Sequence, residues 1–190
     1  MSLFEFTFAL TSVILGLALT HIASVWHKLL LAGKRVRWAP EPILLSSIVL
    51  LVIIFVWLSF WNTRNETSMS VGWTVLQVLK LLILYIAAAS CLPETTISSE
   101  EIDLYEYYDR TRRLSFGALI VSYVLFEIIG IIGYGLPKQI TLSVVEEWLL
   151  YPSLYTLLIF VRSRWFNILI LTFALLRFGW AVVVLRLTEI

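Results

Sequence analysis

Six apolar runs occupy most of the chain, at residues 4–25, 43–61, 71–91, 114–135, 144–160 and 166–187. A helix needs about 17 to 25 mostly apolar residues to cross the hydrocarbon core of a bilayer, and inside lipid every backbone N–H and C=O must find a partner. Runs of this length predict an all-α polytopic helical bundle with six transmembrane helices, in one domain covering residues 1–190. Side-chain composition agrees, with 60% hydrophobic and 14% charged residues and a mean hydropathy of +0.92. With 190 residues consumed in this way, no separate soluble catalytic domain fits. The fifth run is short and contains Pro152, which removes a backbone donor and predicts a kink or a re-entrant segment. Ser143 followed by Glu146 has capping-box spacing and argues for a helix start there. The first run opens at once on Leu3-Phe4-Glu5-Phe6 without a basic lead, so it reads as a span and not as a cleaved signal.

Basic residues set the expected orientation. With the first connection in the cytoplasm, nine lie on that side (Lys28, Lys34, Arg35, Arg37, Arg110, Arg112, Arg113, Arg162 and Arg164) against three outside (Arg64, Lys138 and Arg186), the other two of the 14 being Lys80 and Arg177. Both termini are then extracytoplasmic. Trp and Tyr residues near the span ends, Trp38, Trp57 and Trp165 among them, suit interfacial belts and also helix packing. A net charge of +1 gives no argument for nucleic acid, and Cys91, alone, allows no intrachain disulfide.

Lys80, Glu127 and Arg177 fall near the middle of the third, fourth and sixth runs. A charge at the centre of a span costs about 2.5 to 3.5 kcal/mol on insertion scales, so such residues demand compensation and are functional candidates by default. At 1.5 Å of rise per residue, Lys80 and Glu127 lie roughly 13 and 12 Å below the outer ends of their spans and Arg177 roughly 15 Å, so all three share a level within one turn. Gln77 precedes Lys80 by three residues, and Tyr123 lies near the Glu127 face, so the expected transport or binding network is Lys80, Glu127, Arg177, Gln77 and Tyr123. If all three charges are ionised a residual positive charge remains. Either the lysine is neutral, another acid approaches, or an anion or water completes the site. The competing reading is a structural ion-pair network that fixes helix order.

Other features carry less chemistry. Ser12, Gly16, Thr20 and Ser24 recur every four residues and present a strip for close helix packing. His21 is a candidate proton relay or simply a hydrogen-bonded histidine, and with His27 six residues away the pair does not share a face that could hold a metal. No metal site and no cofactor are expected: phosphate-binding glycine loops, H-E-x-x-H and paired-cysteine motifs are absent from the sequence. Asn65-Glu66-Thr67 matches a glycosylation acceptor, a three-residue pattern common by chance. Enzyme is the weakest functional class, since no nucleophile and partner can be paired at membrane depth.

The stretch 93–113 is the one substantial polar segment. Ser98 and Glu101 have capping-box spacing, and Arg110, Arg112 and Arg113 close the segment as the helix dipole favours. It predicts a short amphipathic connector helix in the cytoplasm, lying at the lipid interface or docking a protein partner through Tyr105, Tyr108 and Arg112.

The opening Phe4-Glu5-Phe6-Thr7-Phe8-Ala9-Leu10, the stretch Leu15-Gly16-Leu17-Ala18-Leu19-Thr20-His21 and the segment Tyr107-Tyr108-Asp109-Arg110-Thr111-Arg112-Arg113 resemble a broad group of small, uncharacterised bacterial membrane proteins. The resemblance covers about the first 115 residues and implies a bacterial inner membrane, with no activity to carry over. Two functions remain open: a small channel or transporter for a proton, ion or small anion using the buried charges, with Arg177 a permanent and Glu127 a titratable charge, or a noncatalytic subunit or sensor whose connector docks a cytoplasmic partner. The lipid bilayer is the expected partner in either case, and so small a bundle favours a homo-oligomer.

Overall fold

The computed structural model describes residues 3–60, 71–94, 101–135 and 142–184. It is all-α and 90% helical among those residues. Six helices follow one another, α1 (Leu3–Ala32), α2 (Pro40–Ser59), α3 (Val71–Ser90), α4 (Leu104–Tyr134), α5 (Leu142–Phe160) and α6 (Arg164–Val184). The helices α1 to α4 are long and apolar enough to cross a membrane, whereas the apolar part of α5 is the shorter stretch Trp148–Phe160.

The helices form on the apolar runs, in α5 despite an interior proline, and their ends follow local chemistry. Helix α1 runs 30 residues, about 45 Å at 1.5 Å per residue, through His27 and Lys28 to a stop at Gly33, whose φ of 55° suits the left-handed turn after a helix. Polar side chains ended the expected span at residue 25, but they do not break a helix. Pro40 occupies the first turn of α2, where a missing N–H costs no helical bond. The connector and the fourth span are one continuous helix of 31 residues, capped at its start by Asp103, whose Oδ1 accepts from the backbone N–H groups of Tyr105 and Glu106 at 2.9 and 3.0 Å. Nothing between Leu104 and Leu114 disfavours helix, so the expected division into two helices does not occur. Ser98, proposed as the cap, lies outside the described residues. Helix α5 passes through Pro152 unbroken. There the Ser153 hydroxyl donates to the Leu149 and Leu150 carbonyls, and that of Thr156 to the Pro152 carbonyl, so hydroxyls add bonds to the backbone on either side of the proline.

Helix α3 packs on α1 and α4, α2 lies against α6, and α5 against α4. On α1 the buried residues Thr7, Thr11, Leu15, Ala18, Ile22, Val25 and Leu29 recur every three or four positions and define the face turned to the bundle. The outer faces are apolar too: Leu17 is 59% exposed, Leu169 67%, Leu176 68% and Trp180 69%. A surface this apolar on several helices is at home in lipid and not in water. One small feature was not foreseen. Residues Val36–Arg37 (β1) pair in parallel with Ile102–Asp103 (β2), tying the link after α1 to the start of α4.

Candidate functional site

A cavity of about 70 Å³ lies between α2, α3, α4, α5 and α6. Lys80 of α3 lines it, 2% exposed, with its Nζ 5.3 Å from the centroid of the Phe60 ring and 5.0 Å from that of Phe126. Both rings offer a negative face to the ammonium. No carboxylate among the described residues lies within ion-pair distance of it.

Aromatic rings continue around the cavity as a chain of contacts. Phe126 meets Phe55 with centroids 6.3 Å apart, Phe55 meets Phe178 at 5.6 Å, Phe178 meets Tyr151 at 5.9 Å, and Tyr151 meets Tyr123 at 6.0 Å. The two contacts of Phe178 are edge-on, at interplanar angles of 74° and 76°. Such pairs contribute about 0.5 to 1.5 kcal/mol each beyond their buried area, so the collar ties α2, α4, α5 and α6 together around the cavity. Ser122, on the α4 face between Leu119 and Phe126, and Tyr155, one turn after Tyr151, add hydroxyl-bearing side chains to the wall.

Of the five residues expected to form the network, the structure brings Lys80 and Tyr123 to one chamber. Gln77 is buried one turn before Lys80, and its Oε1 has no hydrogen-bond partner among the described residues. Glu127 and Arg177 are partly exposed and do not line the cavity; their chain neighbours Phe126 and Phe178 do. One residue is about 100° of rotation on an α-helix, so a residue at the right depth can still face away. Sequence reasoning missed the rings. The signal available was the aromatic residue beside two of the three charges, Phe126 before Glu127 and Phe178 after Arg177.

His21 faces α3, its ring 6.2 Å edge-on from Tyr85, and its buried Nε2 has no partner among the described residues. In the small-residue strip, Ser12 accepts a hydrogen bond from Trp57 Nε1 at 3.2 Å and Gly16 is half-buried, while Thr20 and Ser24 are exposed. The strip therefore meets α2 at one end only.

A second polar cluster joins the first turns of α2, α4 and α6, and sequence reasoning missed its centre. Glu41 of α2 is fully buried, and its Oε1 accepts from Arg164 Nε at 2.9 Å. Through that bond and its charge, the carboxylate holds the Arg164 guanidinium above its usual range. The same guanidinium lies 4.2 Å from the centroid of the Tyr105 ring. Nearby, Arg112 is buried, donates from Nη1 to the Val161 carbonyl at 3.1 Å and pairs with Asp109 at 3.3 Å. Tyr108 is buried with it, against Phe116. Of the residues expected to dock a partner, Tyr108 and Arg112 are thus turned into the protein, where Arg112 holds the link between α5 and α6, and Tyr105 stacks on Arg164. The clue to Glu41 was its place between Pro40 and Pro42 at a helix start, where an acidic side chain meets the positive end of the helix dipole.

Fold and site together define an all-α protein, with four helices long and apolar enough to span a membrane, around an aromatic-lined cavity that Lys80 also lines. Searches of family models, curated proteins and solved structures give no match to the chain.

Proposed function

We propose that the protein binds a small anion at Lys80 and moves it across the membrane. The observation that carries this reading is a buried ammonium with two ring faces and, among the described residues, no acid within ion-pair distance. Aromatic faces compensate a buried cation only in part, and an anion entering the chamber supplies the rest. The proposed topology is six spans, with α5 and α6, of 19 and 21 residues, crossing as a pair and both termini extracytoplasmic. The resemblance of the first 115 or so residues supports a bacterial inner membrane as the location. A second reading, a docking subunit, keeps Tyr105 and the exposed Arg110 and Arg113 of the 93–113 segment and loses Tyr108 and Arg112, which are buried.

Flux in proteoliposomes tests the proposal. Wild-type protein is expected to pass a small anion down its gradient, and Lys80→Met to abolish that flux while inserting and folding normally. Absence of anion flux in the wild type across a range of voltages and pH gradients, or full flux in Lys80→Met, defeats the reading.

A further inference from the structure

We propose that the anion taken by the Lys80 chamber is a short-chain monocarboxylate, with its carboxylate on Lys80 Nζ and its hydrocarbon tail against the collar of rings. The inference rests on the reading of the chamber as an anion site and names the class of anion.

Two features of the chamber select it. The first is the division of its wall. Charge is confined to Lys80, hydroxyls to Ser122 and the tyrosines, and the rest is ring and aliphatic carbon. A halide or nitrate would leave that carbon facing an ion on all sides. Phosphate or sulfate spreads its charge over several oxygens, each needing donors that one ammonium and a few hydroxyls do not supply. A monocarboxylate puts its charge at one end, for the ammonium, and offers methyl and methylene groups to a wall that is otherwise nearly all carbon.

The second is size. At about 70 Å³ the cavity is about half the 150 Å³ that takes benzene in an engineered apolar cavity, so an aryl carboxylate does not fit without rearrangement. It has room for about two waters at roughly 30 Å³ each, but a water needs two to four polar partners, and a wall of rings does not offer them to two. A carboxylate of about two to four carbons fills the same space with its polar atoms all at the lysine end.

Thermal stabilisation of the detergent-purified protein by a series of ligands tests this. Acetate, propionate and butyrate are titrated against chloride, phosphate, octanoate and propionamide, the last being a neutral isostere. Propionate is expected to bind at least tenfold more tightly than propionamide, chloride or octanoate, and Lys80→Met to remove the difference between propionate and propionamide. Phe178→Ala, which enlarges the chamber without touching the ammonium, is expected to shift the preferred chain by at least one methylene, and it keeps the inference testable should Lys80→Met fail to fold. Equal binding of propionamide shows that charge is not recognised and overturns the inference. Tighter binding of octanoate makes the ligand a fatty acid from the bilayer and overturns it as well. Chloride binding and flux without carboxylate binding removes the carboxylate and leaves the anion reading standing. Propionate binding without propionate flux does the reverse, removing transport and leaving the carboxylate site.

Discussion

Lys80→Met should stabilise the fold. Lys80 is 2% exposed, and an ammonium near the middle of a span costs about 2.5 to 3.5 kcal/mol. Its compensation is two ring faces, at 5.3 and 5.0 Å, each contributing about 0.5 to 1 kcal/mol at exposed sites and about 2 or more when desolvated. The balance runs from a deficit of about 2 kcal/mol to none. Methionine has nearly the length of the lysine stem, carries no charge, and gains about 0.3 to 1.5 kcal/mol for each sulfur contact with a ring. The sum predicts that Lys80→Met raises stability by about 1 to 3 kcal/mol, consistent with the gain seen when buried ions are replaced by apolar groups. Unfolding in mixed micelles by increasing SDS mole fraction measures it, with helical circular dichroism as the signal. A loss of more than about 1 kcal/mol would refute the reasoning, and its recovery in Lys80→Met with Glu127→Gln would show that the two residues form a structural pair after all. A lysine that weakens the fold is more readily understood as part of a binding site than as a strut.

The Glu41–Arg164 pair should respond unequally to loss of either partner. Arg164→Met leaves a fully buried carboxylate uncompensated and should cost about 3 kcal/mol, whereas Glu41→Gln leaves a half-exposed guanidinium that water can solvate and should cost about 1; equal losses in the same unfolding assay would contradict the burial asymmetry. Asp103→Ala removes the cap of α4 together with the exposed ion pair to Arg37, and should cost about 1 kcal/mol, nearly all of it from the cap; a matching loss in Arg37→Ala would reverse that assignment. In a Cys91→Ala background, single cysteines at Gly135 and Ser163 should label from opposite faces of the membrane and Lys34→Cys from the cytoplasmic face. Labelling of Gly135→Cys and Ser163→Cys from the same face would make α5 re-entrant.

Helices were legible in the sequence because lipid leaves the backbone few alternatives, and the third run, expected at 71–91, appears as Val71–Ser90. Their ends were less legible. Charged residues mark where a helix leaves the hydrocarbon without marking where it stops, so α1 continues to Ala32 and α4 begins at Leu104, ten residues before its apolar run. Lys80 stood out because an ionisable residue in an apolar run is costly wherever it points. The collar did not. Phenylalanine and tyrosine suit lipid, core and chamber alike, and only rotation about each helix axis separates Phe126 from Glu127 or Phe178 from Arg177. That rotation is set by how α4 and α6 pack on their neighbours, and the apolar pattern along either helix is too uniform to fix it, since its outer face is apolar as well.

The same argument explains why the ion pair and the lone charge exchange their expected places. A network was expected at mid-membrane and solvated residues at the connector, yet the buried carboxylate is paired at the end of the bundle and the lysine has rings for company. At the end, the first turns of α2, α4 and α6 meet around Glu41, and helix starts favour a carboxylate by about 0.3 to 1 kcal/mol each where the geometry is good. Arg164, half in solvent, completes the pair with little desolvation of its own. A carboxylate beside Lys80 would add a second desolvation to the first, and the helix end nearest the ammonium, at Phe60 after α2, is a C-terminus, which favours a cation. An unpaired lysine there is the arrangement that leaves room for an anion brought from outside, whose binding is reversible because its charge is not built into the chain.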